Sequence, residues 1–399
     1  MSDLSFWARD FLSRCGGRFA KSAPAPEGSG VVSTPSKAET VTSLFETAGY
    51  PRIEPDILQP ADIFLDLSGE EIRHRLLLTN DNDGLEWALR PEFTIPVARA
   101  YLSAGSLKET GFSYYGPVFR ARSGEPTEFI QAGIESFGRQ DSEAADAEIL
   151  ARALEALNAV GETSYDIRLG DMGLFTALLD ALGLPPVWQR RVRRAFAKGA
   201  LDATTLAAMA NDEIEPSEHA GLLKAMQGQD PRAARGFVED LLKIAGISSV
   251  GGRSAGEIAE RFLAQAARED EGTLSDDART VLAKFVAVEG DPDSAAEALR
   301  VLSDDAQLDL GKALDAFETR AGFYAARGVV LSDIFFSARF GRNLDYYTGA
   351  VFEIRRKSDQ RVLVGGGRYD RLLNLLGAPS SIPAVGCAVF IDRLQGGAA

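Results

Sequence analysis

Apolar and polar positions change rhythm several times along the chain, and each change marks a predicted element. AETVTSLFETAGY carries Val41, Leu44 and Phe45 on one helical face, and Gly49 follows as a stop signal, which predicts a helix from about Lys37. From Pro51 to about Ile167 short apolar runs alternate with turn residues: ADIFLDL, RHRLLLTN, LEWALRPEF, GFSYYGPVFRA and EFIQAGIESFG, a strand texture. RHRLLLTN and LEWALR flank DNDG, and Asp83-Gly84 between them predicts a hairpin. PVARAYLSAG reads as helix, and so does EAADAEILARALEALNAVG with Gly161 as its cap. Residues 171–327 are dominated by Ala, Leu and charged residues at helical spacing, as in AGLLKAMQGQ, AARGFVEDLLKIAG and AGEIAERFLAQAARED, and predict an all-helical insertion. Strand texture returns in VVLSDIFFSARF, YYTGAVFEIRRK and QRVLVGGGRYD, and AVGCAVFIDRL predicts a buried strand or turn running into a helix.

A sheet begun before residue 170 and completed after 328 implies one mixed core, in two parts (37–170 and 328–399), interrupted by the helical insertion. Upstream, residues 1–21 fit a short amphipathic helix, and residues 22–36, rich in Ser, Pro and Gly, read as a flexible linker.

Composition narrows the class. With 45% hydrophobic and 25% charged residues over 399 positions, the chain has a globular make-up with room for two or three domains. A formal net charge of -15 repels polyphosphate, so nucleic-acid binding needs a local basic patch. Cys15 and Cys387 lie outside any ligand-type spacing, and neither His74 nor His219 sits in a metal or triad pattern, so no metal site is expected. The N-terminus lacks the apolar run of a signal peptide and no stretch is long enough to span a bilayer, so a reducing cytoplasm is the expected location.

Several segments carry candidate chemistry. Leu89-Arg90-Pro91-Glu92-Phe93-Thr94 ends a strand and opens a helix, where Glu92 and Thr94 suit an ammonium group or serve as plain caps. Tyr115 to Arg120 sets a guanidinium at a strand end, suited to a carboxylate or phosphate or to a surface ion pair. Gln131, Gly133 and Glu135 share one face of a strand, and a glycine between polar residues suits a small-molecule floor as well as a solvent-facing strand. RNLDYYTG and GGGRYD bring cations, aromatics and turns together, without dinucleotide-fingerprint spacing. The run Arg190, Arg191, Arg193 and Arg194, with Lys198, is a candidate RNA contact, or a solvated helix face.

In this order, these segments resemble the class II aminoacyl-tRNA synthetases and, within them, histidyl-tRNA synthetase. The likeness covers roughly residues 37–170 and 328–394. Arg52-Ile53-Glu54-Pro55 resembles the dimer-forming first motif, Phe119-Arg120 through Phe137-Gly138 the second, and Gly386 to Arg393 the third. RNLDYYTG and GGGRYD are similar to two motifs of the histidine enzyme. The resemblance implies an α+β fold, an antiparallel sheet flanked by helices, carrying a histidine pocket. Glu92, Thr94 and Gln131 would hold the α-amino group, Arg120 or Arg342 would face the carboxylate, and Glu135, Tyr346, Tyr347 and Tyr369 would surround the imidazole.

The departures fall on the nucleotide side. The second motif normally runs Arg-x-Glu; here it is Arg120-Ala121-Arg122, and the loop ARSGEPTE lacks the usual basic segment. In the third motif Phe390 stands where a glycine normally lies under adenine, and Asp392 replaces a glutamate. No anticodon-binding domain is expected after it. This combination resembles the regulatory subunits of ATP phosphoribosyltransferase, a non-catalytic branch of the family. That likeness implies a short catalytic partner subunit, L-histidine as effector, a homodimer within a hetero-oligomer, and no cofactor. A truncated enzyme that still activates histidine, with Arg120, Arg342 and Arg393 handling phosphate, and an RNA-binding or scaffold module are the competing expectations.

Overall fold

The computed structural model describes residues 36–67, 75–105, 108–122, 124–197, 199–211, 249–250, 253–254, 274–341 and 346–394. The expected N-terminal helix and linker up to residue 35, the three quoted helical stretches between 220 and 270, and Cys15, His74, Lys198, His219 and Arg342 lie outside the described residues.

Helix α1 (Lys37–Thr47) starts where the periodicity places it, because Ser36 builds a capping box. Ser36 Oγ accepts from the Glu39 N–H at 3.2 Å, and the Glu39 carboxylate accepts from the Ser36 N–H at 2.7 Å. A small sheet follows from β1 (Leu58–Pro60), β2 (Leu78–Asn80) and β3 (Glu86–Leu89), in the order β1-β3-β2. The β2–β3 hairpin is the expected one: Leu78 faces Ala88, Asn80 faces Glu86, and Gly84 takes φ +82° in the turn. ADIFLDL departs from its strand expectation and forms helix α2 (Ala61–Leu67). Its buried members, Ala61 and Phe64, are three apart, a helical and not a two-residue period.

After helix α3 (Thr94–Ser103), strands β4 (Thr110–Phe119) and β5 (Glu128–Phe137) form a long antiparallel hairpin. Helix α4 (Ser142–Ala159) and strand β6 (Tyr165–Asp171) come next. Past residue 327 the sheet resumes with β10 (Ile334–Ser337), β11 (Ala350–Arg356), β12 (Val362–Arg368) and β13 (Ala384–Phe390). Short helices α11 (Leu372–Leu375) and α12 (Ile391–Leu394) bracket β13. Together with β9 (Glu289–Gly290) these strands make one eight-stranded sheet, ordered β4-β5-β13-β12-β11-β6-β10-β9, antiparallel except where β10 runs parallel to β6. Its register sets rows of residues across the strands. One row runs Gly133, Ala388, Gly365, Glu353, Arg168 and Phe335; the next begins Glu135, Gly386, Gly367, Val351 and Gly170.

Between β6 and β10 the described chain forms helices α5 (Met172–Ala181), α6 (Pro186–Ala197), α7 (Ala203–Asn211), α8 (Asp276–Val286), α9 (Pro292–Asp305) and α10 (Gly311–Ala326). This segment is not all-helical. A two-stranded ribbon pairs β7 (Ser249–Val250) with β8 (Arg253–Ser254), and β9 (Glu289–Gly290) closes the edge of the main sheet against Phe336 and Ser337. Strands of two residues are too short to leave a period in the sequence.

The sheet divides the apolar interior in two. Ile134, Val389, Val364, Phe352 and Leu169 turn one way, into a cluster with Leu150 and Leu157 of α4 and Leu314, Phe317 and Tyr324 of α10. A second cluster holds Phe64, Phe93, Ile95, Tyr101, Tyr114, Phe129, Tyr346, Tyr369 and Phe390. The glycine row lies on this second side and leaves a floor with almost no side chains.

Candidate functional site

That floor supports a small cavity of about 40 Å³. Glu92, Thr94, Arg120, Gln131, Tyr346, Tyr347 and Tyr369 line it, so seven residues singled out from the sequence converge on one place. Glu135 lies directly behind that wall, only 1% exposed. Phe390, singled out as a departure in the third motif, also lines it, and residues that sequence reasoning did not assign to the pocket complete the lining: Phe93, Tyr114, Gly365, Gly386, Cys387 and Ala388. For Tyr114 the signal was present, since alternation in GFSYYGPVF turns it to the same side as Gln131 and Glu135.

Each wall has a local cause. The β3–α3 turn brings Glu92 to the start of α3, where its carboxylate accepts from the N–H groups of Thr94 (2.5 Å) and Ile95 (3.0 Å). Glu92 is therefore a helix cap and a pocket wall at once. The Thr94 hydroxyl donates to Glu135 Oε1 at 2.8 Å. Tyr369 donates to Glu135 Oε2. Burial pushes the Glu135 carboxyl up to about 8, against the opposing pull of its bonds to Tyr369 and Thr94. Burial also raises Glu92, and it holds the Tyr114, Tyr346 and Tyr369 phenols well above their usual range.

Close approach explains the small residues of the floor. A Cβ on Gly386 would collide with the Glu135 carboxylate, and one on Gly133 would collide with the Tyr114 hydroxyl and the Cys387 carbonyl. Tyr346, Tyr347 and Tyr369 form the aromatic side, with ring centroids 5.0 to 6.5 Å apart. Gln131, 2% exposed, has an Oε1 with no hydrogen-bond partner among the described residues. A buried amide oxygen in a cavity wall calls for a donor, and a ligand ammonium is one.

The neighbouring half is filled by the chain itself. Phe390 stacks on Phe129, with centroids 6.0 Å apart and planes at 18°. Arg122 lies over the outer face of Phe129 at 3.7 Å, and Arg393 lies 4.3 Å from the centroid of Phe390. Glu125 ties both cations together: it pairs with Arg122 and, at 3.0 Å, with Arg393. Arg393 also donates to the Val362 carbonyl at 2.8 Å, and Asp392 accepts from the Ile130 N–H at 2.8 Å. Two arginines and two aromatic rings thus stand closed upon one another around Glu125. Glu125 was not foreseen, because its role appears only once the loop folds back on α12.

The remaining candidates fall elsewhere. Arg90 is structural, donating to the Pro117 carbonyl (2.9 Å) and the Pro55 carbonyl (2.5 Å). On α6, Arg190 and Arg194 are exposed, while Arg193 donates to Thr176 at 3.2 Å and Arg191 lies over Trp188 at 4.7 Å.

Comparison with known proteins bears on the family and the fold. A family model described as histidyl-tRNA synthetase matches residues 34–242 and 233–394. A Mesorhizobium japonicum protein named ATP phosphoribosyltransferase regulatory subunit is 41% identical over 362 residues, 90% of this chain and 97% of its own. A Brucella canis protein of the same name is 40% identical over 349 residues, 86% of this chain and 92% of its own. Among solved structures, a Bacillus halodurans ATP phosphoribosyltransferase regulatory subunit/histidyl-tRNA synthetase superposes with TM-score 0.62 at 22% identity, covering 90% of this chain and 77% of that one. Histidyl-tRNA synthetase from Nostoc gives TM-score 0.56 at 19% identity, covering 91% of this chain and 74% of that one. At those identities the structures speak for the fold, that of the class II synthetases.

Proposed function

The chain belongs to the histidyl-tRNA synthetase family, together with relatives named as regulatory subunits of ATP phosphoribosyltransferase, and from that premise we propose that it is such a regulatory subunit, acting in histidine biosynthesis with a separate catalytic subunit. It carries out no transfer chemistry, and it senses L-histidine in the cavity between Glu92 and Tyr369.

One observation carries this reading: the two halves of the site differ. The amino-acid half holds a small cavity walled by a buried amide oxygen of Gln131 that has no hydrogen-bond partner among the described residues. The nucleotide half is closed by Phe129, Phe390, Arg122 and Arg393 around Glu125. Histidine would place its α-ammonium at Gln131, its carboxylate toward Arg120, and its imidazole among the tyrosines against Glu135. Regulation is then linkage: histidine binds one state of the assembly better than the other. Residues 171–327 are read as an insertion between the two parts of the core. A homodimer is expected through the Arg52–Pro55 segment, where Ile53 N–H donates to the Ser113 carbonyl at 2.8 Å and exposed Ile57 and Leu58 follow.

Co-purification with a short ATP phosphoribosyltransferase, assayed with and without histidine, tests the reading. The pair should be active and histidine-sensitive, and Glu135→Ala should abolish that sensitivity while the pair still assembles. Histidine-dependent pyrophosphate exchange by this chain alone would overturn it in favour of a synthetase.

A further inference from the structure

Behind the aromatic wall lies a row of charges, buried except for half-buried Asp370 at its end, that the pocket itself does not use. Arg320 sits on the apolar stripe of α10, between Phe317 and Tyr324, and is 6% exposed. Its Nε donates to Asp146 Oδ2 at 2.8 Å and its Nη1 to Asp171 Oδ2 at 2.5 Å. Asp171 ends β6 and caps α5, accepting from Gly173 N–H (2.7 Å) and Leu174 N–H (3.1 Å). Asp146, on α4, takes Arg368 Nε on its other oxygen at 2.8 Å, and Arg368 Nη1 reaches Asp370 at 2.8 Å. The charges alternate: Asp171, Arg320, Asp146, Arg368, Asp370.

The two ends of this row are in different places. At one end, Tyr369 stands between Arg368 and Asp370. The Arg368 carbonyl accepts from Thr348 N–H at 2.8 Å, the Asp370 N–H donates to Thr348 Oγ1 at 3.0 Å, and Tyr346 and Tyr347 directly precede Thr348. Tyr346, Tyr347 and Tyr369 are therefore anchored there. At the other end are α5 and α10, the first and last helices of the segment between β6 and β10. Met172 N–H donates to the Gly349 carbonyl at 2.9 Å, a second tie between the tyrosine segment and the start of α5.

Stability does not account for such a row, since apolar residues of similar volume commonly replace buried ion pairs without loss. Connectivity does. Tyr369 donates to Glu135, so a ligand group that takes the Glu135 carboxylate competes for that bond and displaces the ring. In a dry interior, a displaced arginine cannot stay unpaired and must exchange one discrete set of partners for another.

We propose that the row Asp171–Arg320–Asp146–Arg368–Asp370 couples the pocket to α5 and α10, so that ligand binding at the tyrosines is read out at both ends of the helical segment. This rests on the pocket reading above. Arg320 is the link to cut. In Arg320→Met, Asp146 keeps Arg368, and Asp171 keeps the two N–H groups that it caps.

Hydrogen exchange on the full-length wild-type chain with and without saturating L-histidine is the first test. Changed exchange is expected in 172–181 and 311–326 as well as around 346–348 and 369. In complex with the catalytic subunit, Arg320→Met should bind histidine within about threefold of wild type. The inhibition reached at saturating histidine should weaken about tenfold, the scale of a typical coupling. Wild-type protection confined to the pocket overturns the coupling alone, as does an Arg320→Met complex that saturating histidine inhibits to the wild-type extent. No protection at the pocket overturns the pocket reading and the coupling with it.

Discussion

Glu135 makes the site sensitive to pH at the scale of one residue. Its carboxyl ionises at about 8 in the folded, ligand-free protein, against about 4.3 in an unfolded chain. Between those values the folded state holds a proton that the unfolded state has lost. The stabilisation from this group is complete below the unfolded value and drains away as pH rises toward 8, by about 1.4 kcal/mol per pH unit. Glu135→Gln should remove that slope. Urea unfolding at pH 5.5 and 7.5 measures it, and parallel losses in wild type and variant would show that burial does not hold the proton. A glutamine at 135 carries no charge and keeps one acceptor oxygen in place of two, so it can accept from only one of Thr94 and Tyr369.

Elements begin and end where short-range chemistry tells them to. Helix α1 is the clearest case, since two reciprocal bonds close its first turn. Ser36→Ala removes the side-chain acceptor for Glu39 N–H and should cost about 1 kcal/mol, read as a lower denaturation midpoint with unchanged slope. Helix α2 shows the converse. ADIFLDL alternates enough to pass for a strand, yet burial of Ala61 and Phe64 selects the helical period. Helix α6 turns Val187, Trp188, Val192 and Phe196 inward, so its arginines occupy the remaining face of an ordinary amphipathic helix.

Over the whole molecule, apolar side chains remain uncovered on and beside the small sheet. Leu58, Leu78 and Leu85 are 46%, 44% and 61% exposed, in a chain that buries most of its large apolar residues. The proposed homodimer would cover them. Leu58→Glu with Leu85→Glu should give a monomer by light scattering at concentrations where wild type is a dimer, with an unchanged circular dichroism spectrum. A wild-type monomer would remove the homodimer from the proposal. The division of the site is also a property of the whole, because β5, β13, α12 and the 121–127 loop must all be in place before Glu125 can close on Arg122 and Arg393.

Local chemistry made much of this protein legible in its sequence. Period, caps and turns placed α1, the β2–β3 hairpin, α3, α4 and several core strands along the chain, since these depend on residues a few positions apart. Seven of the pocket residues could be named because the segments that hold them resemble motifs of histidyl-tRNA synthetase; spacing alone placed only Gln131, Gly133 and Glu135 on one face of a strand. Phe390 and Arg122 could be marked as departures because they break a motif within a single segment. Only the tertiary structure decided the rest. That Glu125 neutralises both arginines, that Gly386 leaves room for the Glu135 carboxylate, and that Arg320 reaches Asp146 and Asp171 all depend on residues more than a hundred positions apart, or on a loop folding back. The pairing of β9 with the sheet edge belongs there too. Burial and charge pairing across distant strands follow from the packed arrangement as a whole, and no window along the chain contains both partners.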